Sequence, residues 1–109
     1  MNIENTKAQM KKGILEYCIL SIISRGEVYA SDIIEELKNS KMIVVEGTLY
    51  PLLTRLKNDE LLSYQWVESN SGPPRKYFQL TIEGKRILKE LSETWNELVI
   101  AVNRTTKKK

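Results

Sequence analysis

A mainly α-helical domain with one small β-hairpin is the fold class that this chain predicts, and three observations predict it. Apolar residues recur at helical spacing in three successive stretches, over residues 10–24, 30–39 and 45–58. Two aromatic- and branched-rich segments then flank the turn-forming string Asn70-Ser71-Gly72-Pro73-Pro74. A long closing stretch carries its apolar residues at heptad spacing.

Composition bounds what such a domain can be. A chain of 109 residues is one domain with a modest core, and 41% hydrophobic with 28% charged residues is the balance of a globular protein. A net charge of +3 and a pI near 9.0 fit a polyanionic partner, although many unrelated domains are equally basic. Cys18 is the only cysteine and lies in an apolar run, so it is expected as a small buried hydrophobe in a reducing compartment. There is no histidine, which leaves Cys18 and the serines without the usual catalytic base. No Cys/His cluster points to a metal and no glycine-rich loop to a nucleotide, so neither an enzyme nor a cofactor is expected. The most apolar run, Ile14 to Ile23, is broken by Glu16 and is far short of the roughly 20 residues that span a bilayer. With no targeting segment visible, the expected location is the cytoplasm, away from membranes.

Residues 1–9 are polar and are expected as a flexible N-terminus. From Met10, the apolar set Met10, Ile14, Leu15, Cys18, Ile19, Ile22 and Ile23 predicts a helix with a broad buried face, stopped at Gly26. Tyr17 and Leu20 widen that face, so more than one neighbour is expected. Ala30, Ile33, Ile34 and Leu37 define a second helix over about 30–39, with Ser31 and Asp32 placed to cap its first amides.

The third helix organises the rest. Leu49, Leu52, Leu53 and Leu56 form its buried stripe, and the other face carries Thr48, Tyr50, Thr54, Arg55 and Lys57 without a carboxylate among them. Such a set can donate to phosphate oxygens and reach base edges in a major groove. A solvated face is its ordinary meaning in an isolated helix; the segment C-terminal to this one favours the nucleic acid. Pro51 lacks the N–H that would bond the carbonyl of Gly47, which places the helix start near Leu49 or Tyr50, or else earlier with a local distortion.

Leu61 to Glu68 and Arg75 to Leu80 read as the two strands of a hairpin, with the cations Arg75 and Lys76 at the root of its tip. Three helices followed by such a hairpin are the order of a winged helix-turn-helix. Thr81 can cap the last helix, along which Leu88, Leu91, Trp95, Leu98 and Val102 are spaced as a heptad seam, flanked by Ile87 and Val99. A seam longer than a small three-helix core can cover implies a second copy of the chain by twofold symmetry. The expected organisation is therefore a winged helix domain over 10–80, a C-terminal dimerisation helix over 81–104 and a basic tail over 105–109.

The strings Gly47-Thr48-Leu49-Tyr50-Pro51-Leu52-Leu53-Thr54-Arg55-Leu56 and Arg75-Lys76-Tyr77-Phe78-Gln79-Leu80-Thr81, with Gly26-Glu27-Val28-Tyr29-Ala30 and Gly84, resemble the PadR family of bacterial transcriptional regulators. The resemblance runs from about Met10 to Val102 and is closest to the small members of the family. It implies an operator-binding homodimer with the third helix in the major groove and the wing on the backbone or minor groove. It also implies an early start for the third helix, with Pro51 inside it. By the same resemblance Thr48 and Tyr50 would reach bases or phosphates, Arg55 a phosphate, and Tyr29 and Ser31 the backbone from the second helix. Lys57, Arg75 and Lys76 would add charge, while Ile14 would join the seam residues at the dimer interface. In relatives that bind flat aromatic molecules a tryptophan like Trp95 lines a slot between subunits; Met10, Gly13, Tyr17, Leu91 and Val99 match its surroundings, so a small aromatic effector that relieves repression is the corresponding expectation. Glu46, at the head of the third helix, departs from the small polar residue more usual there. The competing expectation is a winged helix that binds protein only; such domains usually lose the cations that remain here on the third helix and wing.

Overall fold

The computed structural model describes residues 1–107 of the chain. Helix α1 runs over Ile3–Ser24, strand β1 over Val28–Tyr29, α2 over Ala30–Asn39 and α3 over Glu46–Asn58. Strands β2, Leu62–Ser69, and β3, Gly72–Leu80, then precede α4, Ile82–Thr106. The three strands form one antiparallel sheet in the order β1-β3-β2.

The core is built where the stripes cross. Ile19, Leu20, Ile22 and Ile23 of α1 meet Ala30, Ile33 and Leu37 of α2 and Leu49, Leu53 and Leu56 of α3. Leu62 and Phe78 close the cluster from the sheet, and Leu52, Leu88 and Leu91 pack at its margin. Both α2 and α3 end without glycine: Lys41 and Glu60 take positive φ, and Met42 N–H and Leu61 N–H bond back to the carbonyls of Leu37 and Leu56. The first closure turns the chain from α2 towards α3, and the second turns it from α3 into β2.

Four expectations need correction. Helix α1 begins at Ile3, seven residues before the apolar stripe, because the Asn2 side chain accepts from the Glu4 and Asn5 amides and caps it. Residues 3–9 are thus helical, and Met10 and the turn around it stand clear of the subunit's core, with Met10 largely exposed. At the other end α4 continues through Thr106, past the assigned start of the tail; Lys108 and Lys109 lie outside the described residues. The hairpin is tighter than expected, because β3 begins at Gly72 and runs through both prolines. The register shifts by one between Val67 and Ser69, and this bulge admits residues that cannot donate to a regular ladder.

Strand β1 had no expectation attached. Val28 and Tyr29 pair with Phe78 and Tyr77, so the connection between α1 and α2 is stitched to the root of the wing. Pro51 sits inside α3, five residues after its first, and the early start is the one adopted.

Candidate nucleic-acid interface

Three elements converge beside the exposed face of α3. The N-terminus of α2 supplies Tyr29 and Ser31, α3 supplies Tyr50, and the wing supplies Arg75 and Lys76. All five line one depression of about 410 Å³ together with Glu46, Trp66 and Pro74. Both wing cations border it, although strand alternation sends them to opposite faces of β3. On β3, Arg75 and Tyr77 point to one face, and Lys76 and Phe78 to the other.

Each wing cation is held by aromatic rings. The Arg75 guanidinium lies 3.5 Å from the centre of the Tyr29 ring, and that ring stacks on Tyr77 with centroids 4.2 Å apart. Arg75 also donates from Nη2 to the Ser31 hydroxyl at 2.7 Å, which ties the wing to the first turn of α2. Lys76 Nζ lies 4.4 Å from the centre of the Tyr64 ring and 5.3 Å from that of Trp66, and Lys57 Nζ of α3 lies 5.7 Å from the centre of Tyr64. Cations so placed keep their charge while losing much of their rotamer freedom before any ligand arrives. The helix start is satisfied separately: the Asp32 carboxylate accepts from the Tyr29 amide at 2.9 Å. That leaves Ser31 for Arg75.

Not every expected residue joins this cluster. Thr48 lies on the far flank of α3, seven residues before Arg55 and so on the same side as that cation. Arg55 itself is ion-paired with Glu16 of α1 at 2.8 Å. Lys57 borders a second depression with Tyr50, Thr54, Asn58 and Lys76. Sequence reasoning missed Trp66 and Glu16. Trp66, 62% exposed, shares a face of β2 with buried Leu62 and could have been found as the large apolar residue carried past the core on that strand face. Glu16 interrupts the apolar run of α1, which was a visible sign that a partner was needed.

The seam residues divide by depth. Leu88 and Leu91 pack on the subunit's own core, whereas Trp95, Leu98, Val99 and Val102 lie beyond it on the exposed half of α4. Ile14 is half-buried. A depression between α1 and α4 is lined by Tyr17, Ser21, Lys85, Leu88, Lys89, Ser92 and Glu93. Of the expected slot residues only Tyr17 reaches it. Burial pushes the Cys18 thiol above its ordinary pKa, which keeps it protonated and unreactive. Among the described residues no group of three or more acidic, histidine or cysteine side chains could hold a metal ion, and no helix is long and apolar enough to cross a membrane.

A helical pair in fixed register, followed by a hairpin whose cations flank the exposed helix, defines a winged helix-turn-helix protein. Residues 19–90 match the transcriptional regulator PadR-like family, and the chain belongs to that family. It is a transcriptional regulator rather than an enzyme. The chain is similar to a PadR-like transcription factor of Bacteroides fragilis, with 60% identity over 94% of this chain and 99% of that one and a TM-score of 0.80. It also resembles a PadR-like regulator of Bacillus cereus, with 37% identity over 93% and 99% of the two chains and a TM-score of 0.81. The fold further matches Bacillus subtilis PadR in complex with operator DNA, at 23% identity over 72% of this chain and 46% of that one, with a TM-score of 0.66.

Proposed function

We propose that the protein is a sequence-specific, operator-binding repressor that acts as a homodimer in the cytoplasm. The observation that carries this reading is the convergence of Tyr29, Ser31, Tyr50, Arg75 and Lys76 on one depression, with Arg75 bonded from the wing to α2. In this reading α3 enters the major groove and Thr48 and Tyr50 reach base edges or phosphates. Tyr29 and Ser31 meet the backbone, and Lys57, Arg75 and Lys76 supply charge. A domain that grips DNA with both helix and wing can act by occupancy alone, which makes repression the simplest output.

The test is a titration of duplex DNA over a range of salt. Counter-ion release gives a slope of log K against log salt of about −0.9 per phosphate neutralised. Arg75→Ala with Lys76→Ala is expected to flatten that slope and weaken all sequences alike, whereas Tyr50→Phe or Thr48→Ala should change the ranking of operators. An unchanged slope in the wing variant would remove the wing from the interface. Failure of the unaltered protein to bind duplex DNA at low salt would favour a module that binds protein only.

The dimer and its effector rest on the uncovered apolar surface. Met10 of α1 and Trp95, Leu98 and Val102 of α4 face solvent in a single subunit, and a second copy brought against α4 would cover them. Trp95, 37% exposed, would then line a slot between subunits. Gly13 leaves room there, since nothing lies within 4 Å of where a methyl group on its Cα would stand. Flat aromatic cations and neutral compounds are expected to quench Trp95 fluorescence saturably in a Trp66→Phe background. Equal quenching after a further Trp95→Leu change would count against the slot.

A further inference from the structure

We infer that Glu16 is a positioning residue for DNA recognition: it holds Arg55 as a neutralised pair, so that α3 meets DNA without this cation. The inference rests on the DNA-binding reading above and narrows it.

The geometry separates Arg55 from the other cations. Tyr50 and Lys57 are seven residues apart and share the flank of α3 turned to the wing, where both border the depression containing Tyr64 and Lys76. Arg55 lies on the flank turned to α1, with its Nη2 at 2.8 Å from Glu16 Oε1. The two partners are unequally placed, because the Glu16 side chain is only 20% exposed and that of Arg55 58%. Glu16 stands one residue before Tyr17 and three before Ile19, which is fully buried. It is therefore fixed by the packing of α1, while Arg55 reaches to it from a more open position.

This asymmetry decides which partner controls the pair. Moving Arg55 to a phosphate would leave a mostly buried carboxylate without its counter-charge, a costly arrangement. A phosphate approaching the pair from outside meets a site of nearly zero net charge. Such a pair displaces no counter-ion from DNA, so Arg55 adds nothing to the sequence-independent part of binding. What remains on this flank of α3 is the hydroxyl of Thr48, which reads position rather than charge. Glu16 thus shifts the balance of the interface from general affinity towards discrimination.

The experiment is the salt titration of operator and random duplex with Glu16→Gln, Arg55→Gln and the double variant. Glu16→Gln keeps the shape of the side chain and frees Arg55. Its slope is expected to steepen by about 0.9 for each subunit bound, with random duplex gaining more than operator. The double variant should return to the slope of the unaltered protein, a reversal that a purely structural role for Glu16 would not produce. Arg55→Gln alone leaves the Glu16 carboxylate without its counter-charge, so it serves as the folding control and the double variant carries the comparison. A slope in the double variant flatter than that of the unaltered protein, or an unchanged slope in Glu16→Gln while the unaltered protein still binds, overturns the inference and leaves the DNA-binding reading standing. Absence of salt-dependent binding by the unaltered protein overturns both.

Discussion

Replacing Gly84 with alanine is expected to lower the unfolding temperature by roughly 4–24 °C, taking about 1–3 kcal/mol for overpacking and about 4–8 °C per kcal/mol for a domain near this size. The direction is opposite to the usual one, since alanine in a helix is ordinarily favoured over glycine by roughly 1 kcal/mol. Position decides it. Gly84 lies in the first turn of α4, buried against Leu61, and a Cβ there would enter the envelope of the Leu61 carbonyl oxygen and lie 3.1 Å from its carbonyl carbon. Both sides of the clash are backbone, so no rotamer change relieves it. The Leu61 carbonyl is also committed, because it accepts the Thr81 amide at 3.1 Å, and the Thr81 hydroxyl in turn accepts the Gly84 amide at 2.9 Å. Relief therefore requires α4 to move away from the joint between α3 and β2. Thermal scans at one fixed protein concentration would show the effect, and a melting point within about 3 °C of the unaltered protein would mean that the joint yields.

Leu98→Glu with Val102→Glu is expected to convert the proposed dimer to a folded monomer. Leu98 is 50% exposed and Val102 similarly open, so neither substitution removes much from the subunit's own core. In a twofold interface each change occurs twice and places four carboxylates in one apolar seam. Burial of a leucine is worth roughly 1.5–3 kcal/mol. Loss of two such contributions raises the dimer dissociation constant by at least about a hundredfold at about 1.4 kcal/mol per tenfold. Sedimentation over a concentration series reads the change, and retained helical circular dichroism shows that the monomer is folded. A dimer of unaltered affinity would place the interface elsewhere. Leu91 is the poorer position for this test, because it packs on the core of its own subunit.

How far the sequence revealed this arrangement depended on the range of each interaction. The stripes of α2 and α3 and the Thr81 cap are local patterns, and spacing alone located them. The first turns of α1 carry no apolar stripe, so only the Asn2 cap could have marked them. Strand β1 is two residues long, and its identity comes wholly from pairing with β3, which no local pattern encodes. The prolines at 73 and 74 argue against a strand until the bulge that accommodates them is seen. At the candidate site, the residue types on α3 and the wing were legible, but their pairing was not. Arg75 finds Ser31 across 44 positions of sequence, and Arg55 finds Glu16 on another helix. A cation's charge can be read from the chain; what already neutralises or orients it is a property of the packing.

The stitching of β1 to β3 and the Arg75–Ser31 bond have a consequence for the other molecule in the proposed complex. They join wing and helix pair into a caliper whose jaws have a set span. When a rigid caliper closes on a duplex that does not match that span, the DNA must bend or change its groove width. The stiffness of base steps that no side chain touches then enters the binding energy, and operators are sorted partly by how easily they deform.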